Sequence, residues 1–82
     1  MRTVYLDAGR YADAAELHKA LRRLFDLPDY YGGNADALHD CLSERVDTVR
    51  LCLRNEANAE TASSLNKICR VIEDLDGEVV RL

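Results

Sequence analysis

Tryptophan is absent from this 82-residue chain, and phenylalanine, proline and methionine each occur once. With almost no large aromatics, a core must be assembled from Leu, Val, Ile and Ala, which a 48% hydrophobic fraction can supply. No apolar run approaches the roughly 20 residues that cross a bilayer, so no membrane role is expected. The opening "MRTVYLDAGRY" also lacks an apolar segment long enough for a secretory signal, which makes a cytoplasmic location the expectation. Cys41, Cys52 and Cys69 form no C-x-x-C, their spacing matches no zinc signature, and three thiols cannot all pair within one chain. Buried free thiols in a reducing cytoplasm are the plain reading, and neither metal nor cofactor is expected. Repeats, low-complexity tracts and linkers are missing too, so residues 1–82 read as a single domain.

Basic charge is also scarce where it would matter for nucleic acid. Between Asp26 and Asp47 stand six acids (Asp26, Asp29, Asp36, Asp40, Glu44 and Asp47) and one base, Arg45. The remaining chain holds nine acids and ten bases, so the net charge of −4 originates in this one segment. Such a field repels phosphate backbones and attracts basic partners, which disfavours nucleic-acid binding.

The regular elements can be placed by period and punctuation. Thr3–Asp7 is a β-branched and aromatic run ended by Ala8-Gly9, a strand signal. Asp13 precedes Glu16 by three residues, a capping-box pattern, and Leu17, Leu21, Leu24 and Phe25 then recur at helical spacing until Pro28 stops the helix. His18, Lys19, Arg22 and Arg23 fall on the more polar side, with His18 read as a packed or surface residue rather than a ligand or base. Asn34 is placed to cap a helix from Ala35 to about Ser43. In Thr48–Leu53, Val49, Leu51 and Leu53 alternate with Thr48, Arg50 and Cys52, as in a strand. A polar stretch, Arg54–Ser64, leads into a helix in which Ala62, Leu65, Ile68, Cys69, Ile72 and Leu75 mark a buried stripe, with Gly77 as its stop. Glu78–Leu82 reads as a last short strand. The order β-α-α-β-α-β implies right-handed crossovers and a parallel sheet. The expected fold is therefore α/β: a two-layer, three-stranded parallel sheet with helices mainly on one face and the other partly exposed.

The second helix repays a closer look. At about 100° per residue, Asp40, Ser43, His39 and Glu44 all fall within roughly 80° of Asp36, whereas Ala35, Leu38 and Leu42 lie on the opposite side. One face is acidic and the other buries a leucine stripe, with Cys41 on the border and Tyr30 and Tyr31, read as exposed, just upstream. Four readings compete for this face: a solvated surface, a metal site, a catalytic site or a docking surface. A metal site of Asp36, His39 and Asp40 lacks a fourth ligand or an EF-hand-like loop. His39, Asp40 and Cys41 resemble a thiol triad only on paper, because neighbouring helical side chains point about 100° apart. Paired carboxylates for acid–base work need a cleft that separates their pKa values, which this short chain has little sequence to build. An enzyme is therefore not expected. Tyrosines supply rigid, amphipathic contact area, and Gly32-Gly33 lets a backbone approach closely, so a docking surface for a basic, concave partner fits the composition.

The segment Leu27–Leu42 resembles the barstar family of intracellular ribonuclease inhibitors. It matches the pattern Leu-Pro-x-Tyr-Tyr-Gly-x-Asn-x-Asp-Ala-Leu-x-Asp-Cys-Leu at Leu27, Pro28, Tyr30, Tyr31, Gly32, Asn34, Asp36, Ala37, Leu38, Asp40, Cys41 and Leu42, twelve positions of sixteen. The order of elements matches along essentially the whole chain, including "ELHKAL" in the first helix, although the segment between the second and third strands is shorter than in the family. The resemblance implies a barstar-like fold and a protein that plugs the active site of an extracellular or toxin ribonuclease, forming a 1:1 complex as its immunity protein. It implies that Asp40 takes the place of the substrate phosphate, that Asp36 meets adjoining basic residues, that Tyr30 and Tyr31 make aromatic contacts and that Asn34 begins the binding helix. The candidate partner-binding residues are thus Tyr30, Tyr31, Asn34, Ala35, Asp36, His39, Asp40, Ser43, Glu44 and Arg45. Four of them depart from the best-known member, which has tryptophan at the positions of His39 and Arg45, leucine at Ala35 and glycine at Glu44. Those departures point to a different cognate enzyme, with His39 giving affinity a dependence on pH. Of Glu73 and Asp74, either could supply a further acid from the last helix. The competing expectation is an interaction module of the same fold that docks on some other basic protein without inhibiting a nuclease.

Overall fold

The computed structural model describes residues 2–82. Strand β1 (Arg2–Asp7) leads to helix α1 (Ala14–Leu24), a loop, helix α2 (Ala35–Ser43), strand β2 (Val49–Arg54), helix α3 (Ala59–Asp74) and strand β3 (Glu78–Arg81). All strands are parallel in the order β1-β2-β3, with Val4 opposite Leu51 and Leu51 opposite Val79. β2 passes into α3 through residues 55–58 without an intervening helix.

The pleat sorts the sheet into two faces. Val4 and Leu6 are buried on the helix side, together with Val49, Leu51 and Leu53, whereas Thr3 and Tyr5 face outward and Tyr5 is 64% exposed. All three helices share one face, as expected from two right-handed crossovers in the same direction. Helix α3 runs against α1, α2 and the sheet and closes one continuous core with Leu17, Leu21, Phe25, Leu38, Leu42, Leu65, Ile68 and Ile72. Cys52 departs from the simple alternation: it points to the bare face yet is buried, because β2 is the central strand and its neighbours in register are Tyr5 and Val80.

The helix ends follow from particular residues. Asp13 accepts the Glu16 N–H at 2.9 Å, and the Glu16 carboxylate accepts the Ala12 N–H at 2.9 Å, a capping pair displaced one residue upstream of the usual box. At the end of α1, Leu27 N–H donates to Arg22 C=O and Asp26 N–H to Arg23 C=O, with Asp26 at φ 53°, which is the Schellman arrangement two residues before Pro28. Helix α3 ends likewise, with Gly77 N–H on Ile72 C=O and Asp76, not Gly77, in the left-handed region. Gly77 is needed for a different reason: a Cβ there would lie 2.6 Å from both the Ile72 Cγ2 and the Val49 carbonyl oxygen. The glycine lets the chain press between helix and sheet. Two arginines bind the carbonyls at the negative end of α1, Arg2 reaching Leu24 at 3.0 Å and Arg45 reaching Phe25 and Asp26.

Candidate partner-binding surface

The loop before α2 is set by a turn, a glycine and a cap. Tyr31 N–H donates to Pro28 C=O at 3.0 Å, and Gly33 then adopts φ 70°, where a side chain would be strained. The chain next extends through Asn34, whose Oδ1 accepts the Ala37 N–H at 2.8 Å and starts α2. Leu38 and Leu42 are buried, and Asp36, His39, Asp40, Ser43 and Glu44 are exposed. Asp36 sits in the first turn, where the helix dipole favours a carboxylate. The Ser43 hydroxyl donates to the Asp40 carbonyl at 3.0 Å, turning it back onto the last helical turn.

The two tyrosines have opposite surroundings. Tyr30 is 80% exposed. Tyr31 is half-buried, its ring tilted against that of His18 with centroids 5.9 Å apart and its hydroxyl 2.6 Å from His18 Nδ1. Burial pushes the Tyr31 phenol up to about 12 and holds the His18 imidazole below its usual value, so it favours the neutral form of both groups. His18, read as a packed or surface residue, is packed, and its placement on the more polar side of α1 is corrected. The loop folds back over α1, and Tyr31 covers the histidine. Tyr31 in turn is less exposed than its sequence suggests.

Arg45 is drawn out of this face, since its guanidinium donates to the Phe25 and Asp26 carbonyls. Asp29 is ion-paired with Arg22. The exposed α2 face accordingly keeps Asp36, Asp40 and Glu44 without an adjacent free base of its own segment. Ala35 is half-buried at its upstream border.

Beside this face lies an open groove of about 530 Å³ between the N-terminal ends of α1 and α2 and the flank of α3. Asp36 and His39 form one wall, and Ser64, Lys67, Arg70 and Asp74 form the other. Asp74, rather than Glu73, is the α3 acid that comes to the groove. The basic pair was not singled out from the sequence, although a signal existed: at about 100° per residue Ser64, Arg70, Val71 and Asp74 all fall within roughly 60° of Lys67, along one edge of the buried stripe. Right-handed crossover then turns that edge towards α2.

Among the described residues His39 lines the groove while Cys41 packs against the core. Among the described residues no group of three or more His, Cys, Asp or Glu side chains is placed to hold a metal ion, and no helix is long and apolar enough to cross a membrane. The thiol of Cys69 is raised by burial, which suits a packed rather than a reactive cysteine. The surface presents the exposed acids of α2 near one exposed aromatic ring, Tyr30.

Comparison with known proteins agrees over nearly the full length. The family model described as Barstar (barnase inhibitor) matches residues 1–81. A protein of Bacillus subtilis (strain 168) named "Putative ribonuclease inhibitor YrdF" is 35% identical over 82 residues, covering 96% of this chain and 90% of that relative.

Proposed function

The chain belongs to the barstar family, and from that premise we propose that it inhibits an extracellular or toxin ribonuclease from within the cell that makes it, by plugging the enzyme's active site. The observation that carries this reading is the exposed α2 face, on which Asp36, Asp40 and Glu44 are held over the buried Leu38 and Leu42. A ribonuclease cleft is positively charged because it binds a phosphodiester. A carboxylate fixed on a helix can imitate that phosphate and accept charge-assisted hydrogen bonds from the same cationic groups. Asp40 is the anchor, and Asp36 engages the bases beside it.

The scaffold prepares the face before the encounter. Asn34 fixes the start of the helix, and the His18–Tyr31 hydrogen bond holds the loop, so little ordering remains to oppose association. Tyr30 supplies the exposed aromatic contact, while Ala35, His39, Ser43 and Glu44 shape the rim. Clustered negative charge speeds the approach of a basic enzyme. The complex is one inhibitor to one enzyme, and the role is occlusion rather than turnover.

The test is an RNA-cleavage assay with barnase-type ribonucleases titrated with the chain at several salt concentrations. Inhibition competitive with RNA, with an association rate that falls as salt rises, is the expected result. Absence of inhibition, with capture of a non-nuclease basic protein instead, would replace this reading by the docking-module one.

A further inference from the structure

Lys67 and Arg70 stand where a surface made only to meet positive charge would carry acids. Both lie on the α3 wall of the groove that Asp36 and His39 face from α2. Neither is in an ion pair: among the described residues the pairs are Arg22–Asp29 and Arg50–Glu78. Asp74 follows Arg70 by four residues, but a base preceding an acid is the weaker orientation for such a helical pair. Further round α3, Ala62, Asn66 and Glu73 carry no base.

The groove therefore differs in kind from the face beside it. Its two acids, Asp36 and Asp74, are matched by two bases. A uniformly basic partner would gain at Asp40 and Glu44 and then meet like charge at Lys67 and Arg70, which opposes docking. The groove is also open, because Ala35 and Ser64 line it with small side chains and leave room for one from a partner.

Resting on the reading that the partner is a ribonuclease held through Asp40, we infer that this enzyme carries an acidic side chain at the rim of its cleft, and that its carboxylate enters the groove between α2 and α3 to pair with Lys67 and Arg70. Arg70 offers the planar fork that a carboxylate accepts bidentately, and Lys67 adds a mobile donor one turn away. The acid face recognises what all such enzymes share, a phosphate-binding cleft. The groove selects among them by a charge of the opposite sign.

The experiment titrates inhibition of RNA cleavage by a panel of purified barnase-type ribonucleases. It uses the native chain, the reversal Lys67→Glu/Arg70→Glu, the truncation Lys67→Ala/Arg70→Ala and Asp40→Ala, with the folding of each checked by thermal melting. Against the enzyme that the native chain inhibits best, the reversal weakens inhibition roughly tenfold to a hundredfold, and the truncation weakens it about threefold or more. Changing the enzyme's rim acid to lysine restores inhibition by the reversal variant and weakens the native chain. If the reversal does not fold, the truncation alone decides between loss and gain. Basic-pair variants that inhibit as well as or better than the native chain, while Asp40→Ala is weakened, overturn the acid in the groove and leave the inhibitor reading intact. A native chain that inhibits no member of the panel, or an Asp40→Ala variant equal to it, overturns the inhibitor reading and this inference with it.

Discussion

The stretch from Tyr30 to Glu44 and the α3 edge from Ser64 to Asp74 border the same surface but are built in opposite ways. The first is contiguous in the chain, carries free charge of one sign and owes its shape to local devices: a Gly33 turn, an Asn34 cap and a leucine stripe. The second is scattered at every third or fourth residue of a helix, mixes bases with an acid and meets the first only because the crossover lays α3 beside α2. On the proposed reading, the recognition surface separates into a motif, which announces the class of target, and a setting, which narrows it to one.

The contrast can be broken from below. Leu38→Ala removes the fully buried anchor of α2 and should cost about 2–5 kcal/mol of stability by denaturant unfolding, taking the acidic face with it. Lys67→Ala, by comparison, should leave stability within about 0.5 kcal/mol. Gly77→Ala attacks the setting instead: its methyl would strike Ile72 and the Val49 carbonyl, costing about 1–3 kcal/mol and displacing the end of α3 that carries Asp74.

Smaller changes sharpen the comparison within the motif. Tyr31→Phe removes the hydroxyl bonded to His18 and should lower stability by about 1 kcal/mol, whereas Tyr30→Phe should leave stability unchanged. Tyr30→Ala should weaken nuclease binding without destabilising the fold. The smallest effect is with pH. Burial lowers the folded-state pKa of His18 below its ordinary 6.5, so as pH falls the unfolded chain takes up the proton first. The stability that His18 contributes is complete above about pH 6.5 and is lost as pH falls from there through the lowered folded value. A plot of unfolding free energy against pH checks this, and the slope between pH 6.5 and 5 should flatten in His18→Gln.

Much of this was legible in the chain. Local signals found all six elements, although α3 starts at Ala59 behind its Asn58 cap, inside the stretch read as a polar lead-in, and the wheel of α2 divided its exposed acids from the buried Leu38 and Leu42. What escaped was non-local. A wheel of α1 alone cannot show that a loop returns to cover His18 with Tyr31. Strand alternation cannot show that Cys52 is sheltered by Tyr5 and Val80 on neighbouring strands. Gly77 looked like a left-handed cap, but the sharper constraint on it comes from Ile72 and Val49 pressing from either side, while Asp76 takes the left-handed conformation. Arg45 looked available for a partner until the carbonyls at the end of α1 claimed its guanidinium. The charge count by segment was correct as arithmetic, yet it did not reveal that α3 returns two bases to the edge of the acidic face.

On the proposed function, Asp40 anchors the complex while other acids of the same segment serve only the general field. Dissociation constants for a cognate ribonuclease should therefore be measured with Asp40→Ala, Asp26→Ala and Asp47→Ala in parallel. Loss of a charged hydrogen-bonding group at the anchor should cost about 2 kcal/mol or more, roughly 30-fold in Kd, with the two controls within about threefold of the native chain. Equal and small effects from all three substitutions would contradict the account.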